Sequence, residues 1–169
     1  MEANIISNSP NDTWLMGKLF SKLIKYGDIM LLSGELGGGK TTFISGIASG
    51  LGIEKELTSP SFTIVNEYDI NGKKFIHADL YRLNNVNDIN MTGLDDYIYD
   101  EKNITCIEWG DKFEQYIEKE FIAINFKYDL DSEEKRILKF KSNFKYWHIK
   151  LKKFQKIINK NYHQEDYFI

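Results

Sequence analysis

Ile29-Met30-Leu31-Leu32-Ser33-Gly34-Glu35-Leu36-Gly37-Gly38-Gly39-Lys40-Thr41-Thr42 decides how the rest of the chain is read. Its first four residues are an unbroken apolar run of strand length, the pattern of a strand buried on both faces. Glycines follow at once. From Thr41 to Leu51 the sequence then reads as a helix, ended by Gly50 and Gly52. Strand, glycine loop and helix form the first half of a βαβ unit, which places the chain in the α/β class.

Gly34 to Thr41 also matches the pattern G-x-x-x-x-G-K-[ST], the Walker A or P-loop motif. Glycines let the backbone curl until successive N–H groups converge on phosphate oxygens. The helix that starts there adds the positive end of its dipole. On this reading Gly37, Gly38 and Gly39 line a nucleotide's phosphates and Lys40 reaches the β- and γ-phosphates. The Thr41 hydroxyl coordinates magnesium, and Thr42 bonds the α-phosphate. ATP and Mg2+ are therefore the expected ligands. A glycine turn with a solvated lysine is the bland alternative, but the flanking strand and helix supply the context that the chemistry needs.

Working outward, Glu2 to Ser7 reads as a short strand. Ser9-Pro10-Asn11-Asp12 then starts a helix, with Ser9 as N-cap and Pro10 at the first helical position. Leu15, Leu19 and Leu23 give that helix its apolar face, and Gly27-Asp28 is its expected end. The first turn, around Asn11 to Thr13, is a candidate for adenine contact. Phe62 to Asp69 and Lys74 to Ala78 read as strands joined by the two-residue turn Asn71-Gly72. Asn84 to Asp100 suggests short helices around Gly93, and Ile104 to Trp109 another buried strand. Phe121 to Phe126 and Ile137 to Phe140 suggest an antiparallel pair across a turn at Asp131-Ser132. Phe144, Trp147, Leu151, Phe154 and Ile158 recur at three- and four-residue steps, the mark of an amphipathic helix over 143–160. Lys150, Lys152, Lys153 and Lys156 are expected mostly on its other faces, as a solvated surface or as contacts to an acidic partner or tRNA phosphate.

With 169 residues and no repeat or linker, the chain reads as one domain over 1–169, with 161–169 as a tail. The net charge of −3 gives no global positive field for nucleic acid, so tRNA contact is expected to be indirect or local. A lone cysteine, Cys106, rules out an internal disulfide. The beginning of the chain shows no signal-peptide pattern, and no stretch is apolar for long enough to span a bilayer. No membrane association and a cytoplasmic location are the expectation.

A P-loop ATPase also needs an acid at the end of a neighbouring strand. Asp79 follows Phe75-Ile76-His77-Ala78, and Glu108 follows Ile104-Thr105-Cys106-Ile107. Both stand at the C-terminal end of an apolar strand, the edge where ligands bind in open α/β sheets. Spacing alone leaves the two equal. His77 and Cys106 read as packing or hydrogen-bonding residues, and Trp109 as core or pocket wall.

Four segments in order then carry a family resemblance. They are Gly34 to Phe43, Thr58-Ser59-Pro60-Ser61-Phe62-Thr63-Ile64-Val65-Asn66-Glu67-Tyr68, His77-Ala78-Asp79-Leu80-Tyr81-Arg82-Leu83, and Ile107-Glu108-Trp109. Together they resemble the TsaE (YjeE) family, bacterial ATPases required for threonylcarbamoyladenosine modification of tRNA. The resemblance implies a P-loop NTPase fold with a mostly parallel central sheet flanked by helices. It implies ATP hydrolysis coupled to the TsaD and TsaB partners. With no obvious arginine finger in the sequence beyond Arg82, turnover by the chain alone is expected to be slow. By motif match Lys40, Asp79 and Glu108 would be catalytic, and Thr41 and Glu108 would hold magnesium. Ser59, Pro60, Ser61, Thr63 and Glu67 would belong to a switch that senses the nucleotide. Gly38 stands where the family usually has alanine, a change expected only to loosen the loop. Ser61 stands where threonine is usual and keeps the hydroxyl.

Two other classes compete. A small-molecule or nucleoside kinase of this size would clamp the transferred group with lid arginines, and the chain offers only Arg82 and Arg136. A GTPase would carry Asn-Lys-x-Asp, and the nearest match, Asn159-Lys160-Asn161-Tyr162, lacks the acid.

Overall fold

The computed structural model describes residues 1–130 and 132–161. Asp131 of the expected turn and residues 162–169 of the expected tail lie outside them. In chain order the elements are β1 (Glu2–Ser7), α1 (Pro10–Phe20), β2 (Ile29–Gly34), α2 (Lys40–Gly50), β3 (Val65–Ile70), β4 (Lys73–Asp79), α3 (Val86–Asn90), α4 (Leu94–Tyr99) and β5 (Asn103–Glu108). A 3-10 segment (Gly110–Tyr116), β6 (Phe121–Asp129), β7 (Ser132–Lys141) and α5 (Lys145–Asn161) complete the chain.

The strands form one sheet in the order β1-β7-β6-β2-β5-β4-β3. Its centre, β6-β2-β5-β4, is parallel, whereas β1–β7, β7–β6 and β4–β3 are antiparallel. The sheet is therefore mixed, not mostly parallel as the motifs imply. Two hairpins, β3–β4 and β6–β7, account for two of these pairs, because strands joined by a tight turn must run antiparallel, and β1 adds the third at the edge. In the first, Asn71 and Gly72 both take positive φ, 53° and 79°, as a type I′ turn requires.

β2 is buried on both faces, as its apolar run demands. Met30 and Leu32 face a core built with Phe20, Phe43, Trp147, Leu151 and Phe154. Ile29 and Leu31 face a second core with Leu80, Leu94, Ile98, Ile107 and Phe113. Phe20 is the hub of the first layer. Its ring centroid lies 5.0–6.4 Å from those of Phe43, Phe140, Trp147 and Phe154, at aromatic packing distance.

Helices α1 and α2 touch backbone to backbone. A Cβ on Gly17 would lie 2.1 Å from Phe43 O, and one on Gly46 would lie 2.0 Å from Trp14 O. Only glycine permits that approach, and it sets the N-terminus of α1 beside the glycine loop. Ser9 caps α1 through Asp12 N–H at 3.1 Å, as expected. The helix stops at Phe20, well short of Gly27, because Ser21 to Leu23 tighten into a turn. The strand expected from Phe62 begins only at Val65, after a turn at Ile64 with φ of 68°.

Lys150 does not belong to the solvated face of α5. Its ammonium is buried against the Asp28 carboxylate, with side-chain exposures of 7% and 5%. Tyr146 Oη donates to the other Asp28 oxygen at 2.8 Å, and Lys25 N–H donates to Oδ2 at 2.7 Å. Burial lowers the Lys150 pKa against the opposing pull of Asp28. Burial, aided by the bond to Asp28, raises that of the Tyr146 hydroxyl. The network clamps α5 to the start of β2, so Trp147, Leu151 and Phe154 of α5 face the sheet.

Removing one partner of a buried ion pair strands the other, at a cost of about 3–5 kcal/mol. Lys150→Met and Asp28→Asn are each expected to lower unfolding free energy in urea by roughly that amount. The double variant is expected to lose clearly less than the two added together. Additive losses would show that the pair does not act as a unit.

Candidate functional site

The glycine loop lies at the C-terminal edge of the parallel strands, between β2 and α2. Gly34, Gly37 and Gly39 take φ of 127°, 73° and 100°, a region that strains any other residue. Tyr128 Oη on β6 donates to Leu36 O at 2.8 Å and braces the loop from outside. On the other side, the Thr13 methyl lies 3.5 Å from where a Gly39 Cβ would stand. Gly38 does more than loosen the loop. A Cβ there would lie 2.9 Å from Glu35 O, so an alanine would force the loop to open slightly.

Lys40, the first residue of α2, folds back over the loop. Its ammonium donates to Gly34 O and Glu35 O, both at 2.9 Å, and lies 4.1 Å from the centre of the Trp109 ring. Burial lowers its pKa, while Glu108, Asp79 and Asp111 pull the other way. A charged donor held on two carbonyls and a ring is well placed to turn toward an anion. Trp109 itself sits at φ 60° directly after β5, and its ring meets Tyr81 at 5.1 Å.

The two acids equal in the sequence are separated by their surroundings. β4 and β5 pair in parallel with Asp79 opposite Glu108. Thr41 Oγ1 donates to Glu108 Oε1 at 2.7 Å, and His77 Nε2 lies 2.8 Å from the same oxygen. Asp79 instead holds the preceding segment. Its Oδ2 accepts from Ser59 Oγ at 2.5 Å and Ser61 Oγ at 2.7 Å, and its Oδ1 accepts from Tyr81 N–H at 2.9 Å. That segment ends at Ile64, whose φ of 68° is unfavourable for a β-branched residue. Bonds from Ile64 N–H to Pro60 O (2.6 Å) and from Asp79 N–H to Ile64 O (2.9 Å) hold it there.

These groups line one cavity of about 340 Å³, formed by the loop residues 36–42 with Ser59, Ser61, Asp79, Tyr81, Arg82, Glu108 and Trp109. Of the residues expected to act as a switch, Ser59 and Ser61 line it, and Pro60, Thr63 and Glu67 do not. Thr63 Oγ1 donates to Asn66 Oδ1 at 3.0 Å, and Glu67 pairs with Lys74 on the outer hairpin and with Tyr97 of α4. Thr42 lines the cavity beside Thr41. Arg82 stacks on Phe62, which is 84% exposed, at 4.2 Å. The bracing role of Tyr128 carries no signal in the sequence. It lies 92 residues from the loop it supports.

The family model described as "Threonylcarbamoyl adenosine biosynthesis protein TsaE" matches residues 7–138, from the end of β1 into β7. The chain belongs to the TsaE family. It is 36% identical over 125 residues to the tRNA threonylcarbamoyladenosine biosynthesis protein TsaE of Bacillus subtilis (strain 168), covering 74% of this chain and 77% of that protein. The protein of the same name from Treponema pallidum (strain Nichols) is 33% identical over 123 residues, 72% and 89% of the two chains. The crystal structure of Bacillus subtilis YdiB superposes with a TM-score of 0.76 at 28% identity, over 92% of this chain and 95% of that one. Within this TsaE family member, α5 lies beyond the matched segment, whereas Asp28, the residue that it clamps, lies inside it. Among the described residues no helix is long and apolar enough to cross a membrane.

Removing both hydroxyls that hold the segment, as Ser59→Ala with Ser61→Ala, is expected to speed hydrogen exchange at the Ile64 amide at least tenfold. Amides of the β2 strand should be unaffected. Exchange at Ile64 unchanged in the double variant would show that Asp79 does not restrain the segment.

Proposed function

We propose that this chain hydrolyses MgATP in tRNA threonylcarbamoyladenosine biosynthesis, as a cytoplasmic subunit acting with TsaD and TsaB. One juxtaposition supports the reading best. In a member of the TsaE family, a glycine loop with inward-facing curvature, the Lys40 ammonium and the Thr41–Glu108 pair surround a single cavity at the sheet edge.

The donor set suits magnesium. Mg2+ takes oxygen ligands, keeps several waters and needs only one or two protein groups beside substrate phosphates. The Thr41 hydroxyl and the Glu108 carboxylate are such groups, and both border the cavity. When bound, the ion would neutralise charge on the phosphate oxygens.

The residues of the chain then divide the work. Backbone N–H groups from Gly37 to Thr42 receive the phosphates with the dipole of α2 behind them. Lys40 exchanges its bonds to Gly34 O and Glu35 O for β- and γ-phosphate oxygens. Water attacks the γ-phosphorus, the bond to the bridging oxygen breaks, and ADP and phosphate leave. Asp79 accepts the water's proton once Ser59 and Ser61 leave its carboxylate, which couples the segment to nucleotide state. Arg82 is the arginine that lines the cavity. Arg136 is spent on Glu133 O and Lys135 O, at 2.6 and 2.8 Å, and on the Tyr128 ring. With so little positive charge at the cavity, turnover alone is slow, and a partner supplies the missing stabilisation. The same shortage disfavours the kinase alternative, and no observation favours it.

Lys40→Ala is the test. In an assembly with TsaD and TsaB, it is expected to cut ATP turnover and tRNA modification at least 100-fold, with the variant still folded by circular dichroism. Turnover within threefold of wild type would overturn the proposal.

A further inference from the structure

We propose that His77 is a positioning residue that fixes the Glu108 carboxylate so that Thr41 and Glu108 together present a preformed magnesium-binding edge. The inference rests on the MgATP reading above and extends it to a residue that touches neither nucleotide nor metal.

His77 lies on β4 opposite Cys106 and one pleat below Asp79, and its side chain is fully buried. Its Nε2 is 2.8 Å from Glu108 Oε1. The other ring nitrogen, Nδ1, is buried and has no hydrogen-bond partner among the described residues. That asymmetry sets the tautomer. A proton on Nδ1 would leave a buried N–H unsatisfied and would place the Nε2 lone pair against a carboxylate oxygen. With the proton on Nε2, the ring donates to Glu108 and only a lone pair stays without a partner, the cheaper arrangement.

Thr41 Oγ1 donates to the same Oε1 at 2.7 Å. Two donors on one oxygen pin the carboxylate plane, and among the described residues no hydrogen bond falls on Oε2. The Thr41 proton is also committed to Glu108, which turns the hydroxyl lone pairs elsewhere. Thr41 and Glu108 both line the 340 Å³ cavity. The chain of bonds therefore runs His77 N–H to Glu108 Oε1 to Thr41 O–H. Its two ends of free lone pairs, on Thr41 Oγ1 and Glu108 Oε2, are hard oxygen donors suited to Mg2+ or its bound waters. Hydrogen bonds that orient a ligating group are typically worth 10–100-fold in metal affinity or activity.

A purely structural histidine would serve only stability, so the test separates the two roles. His77→Met removes the donor while keeping apolar bulk, and His77→Gln returns an amide N–H near the position of Nε2. With the intact chain and a non-hydrolysable ATP analogue, Mn2+ binding is followed by electron paramagnetic resonance as a stand-in for Mg2+. His77→Met is expected to weaken Mn2+ binding 10–100-fold and to leave analogue binding in EDTA within about threefold, and His77→Gln should recover most of the loss. In the wild type without nucleotide, 15N ring shifts should place the proton on Nε2, with its resonance lost in His77→Gln. Mn2+ affinity unchanged in a folded His77→Met, or a wild-type ring protonated on Nδ1 alone, would overturn the inference. Absence of any nucleotide binding by the wild type would instead refute the MgATP reading, and the tautomer measurement would still stand.

Discussion

The hydrogen bond from Thr41 to Glu108 joins the start of α2 to the end of β5, and the cavity depends on it. It can form only if β2 and β5 lie side by side with Leu32 opposite Glu108. That register in turn requires β2 to be buried on both faces, which is why the apolar run before the glycines matters as much as the glycines. Helix α1 adds the second constraint. Its contact with α2 through Gly17 and Gly46 sets Thr13 against Gly39 of the loop.

The central part of this arrangement was legible in the residues. The strand, loop and helix around Gly34 to Thr41, the Asn71-Gly72 hairpin and the amphipathic face of α5 all follow from patterns a few residues long. Local patterns failed where distant parts of the chain decide. Lys150 looks like one more surface lysine until Asp28, 122 residues away, is brought against it. The sheet is mixed because its hairpins sit at both ends of a parallel centre, an order that no single segment encodes.

At the site, spacing put Asp79 and Glu108 at equivalent strand ends and could not tell them apart. Three dimensions distinguish them by their neighbours, a threonine and a histidine for Glu108, two serines for Asp79. The switch residues divide in a similar way. Ser59 and Ser61 reach the cavity because the turn at Ile64 bends the chain back before β3 starts. Glu67 lies past that bend, on the outer hairpin, and Thr63, just before it, bonds Asn66 instead. No periodicity foretells a left-handed isoleucine, since its conformation is held by Pro60 O and Asp79 N–H rather than by its own preference.

ATP can be the ligand only if the glycine loop is a phosphate cradle. Its most direct test is calorimetric titration of the intact chain with ATP, with magnesium and with EDTA, while Trp109 fluorescence is followed in parallel. One saturable site is expected, tighter with magnesium, with an emission change as the Lys40 ammonium leaves the Trp109 ring. No heat and no emission change at millimolar MgATP would contradict it.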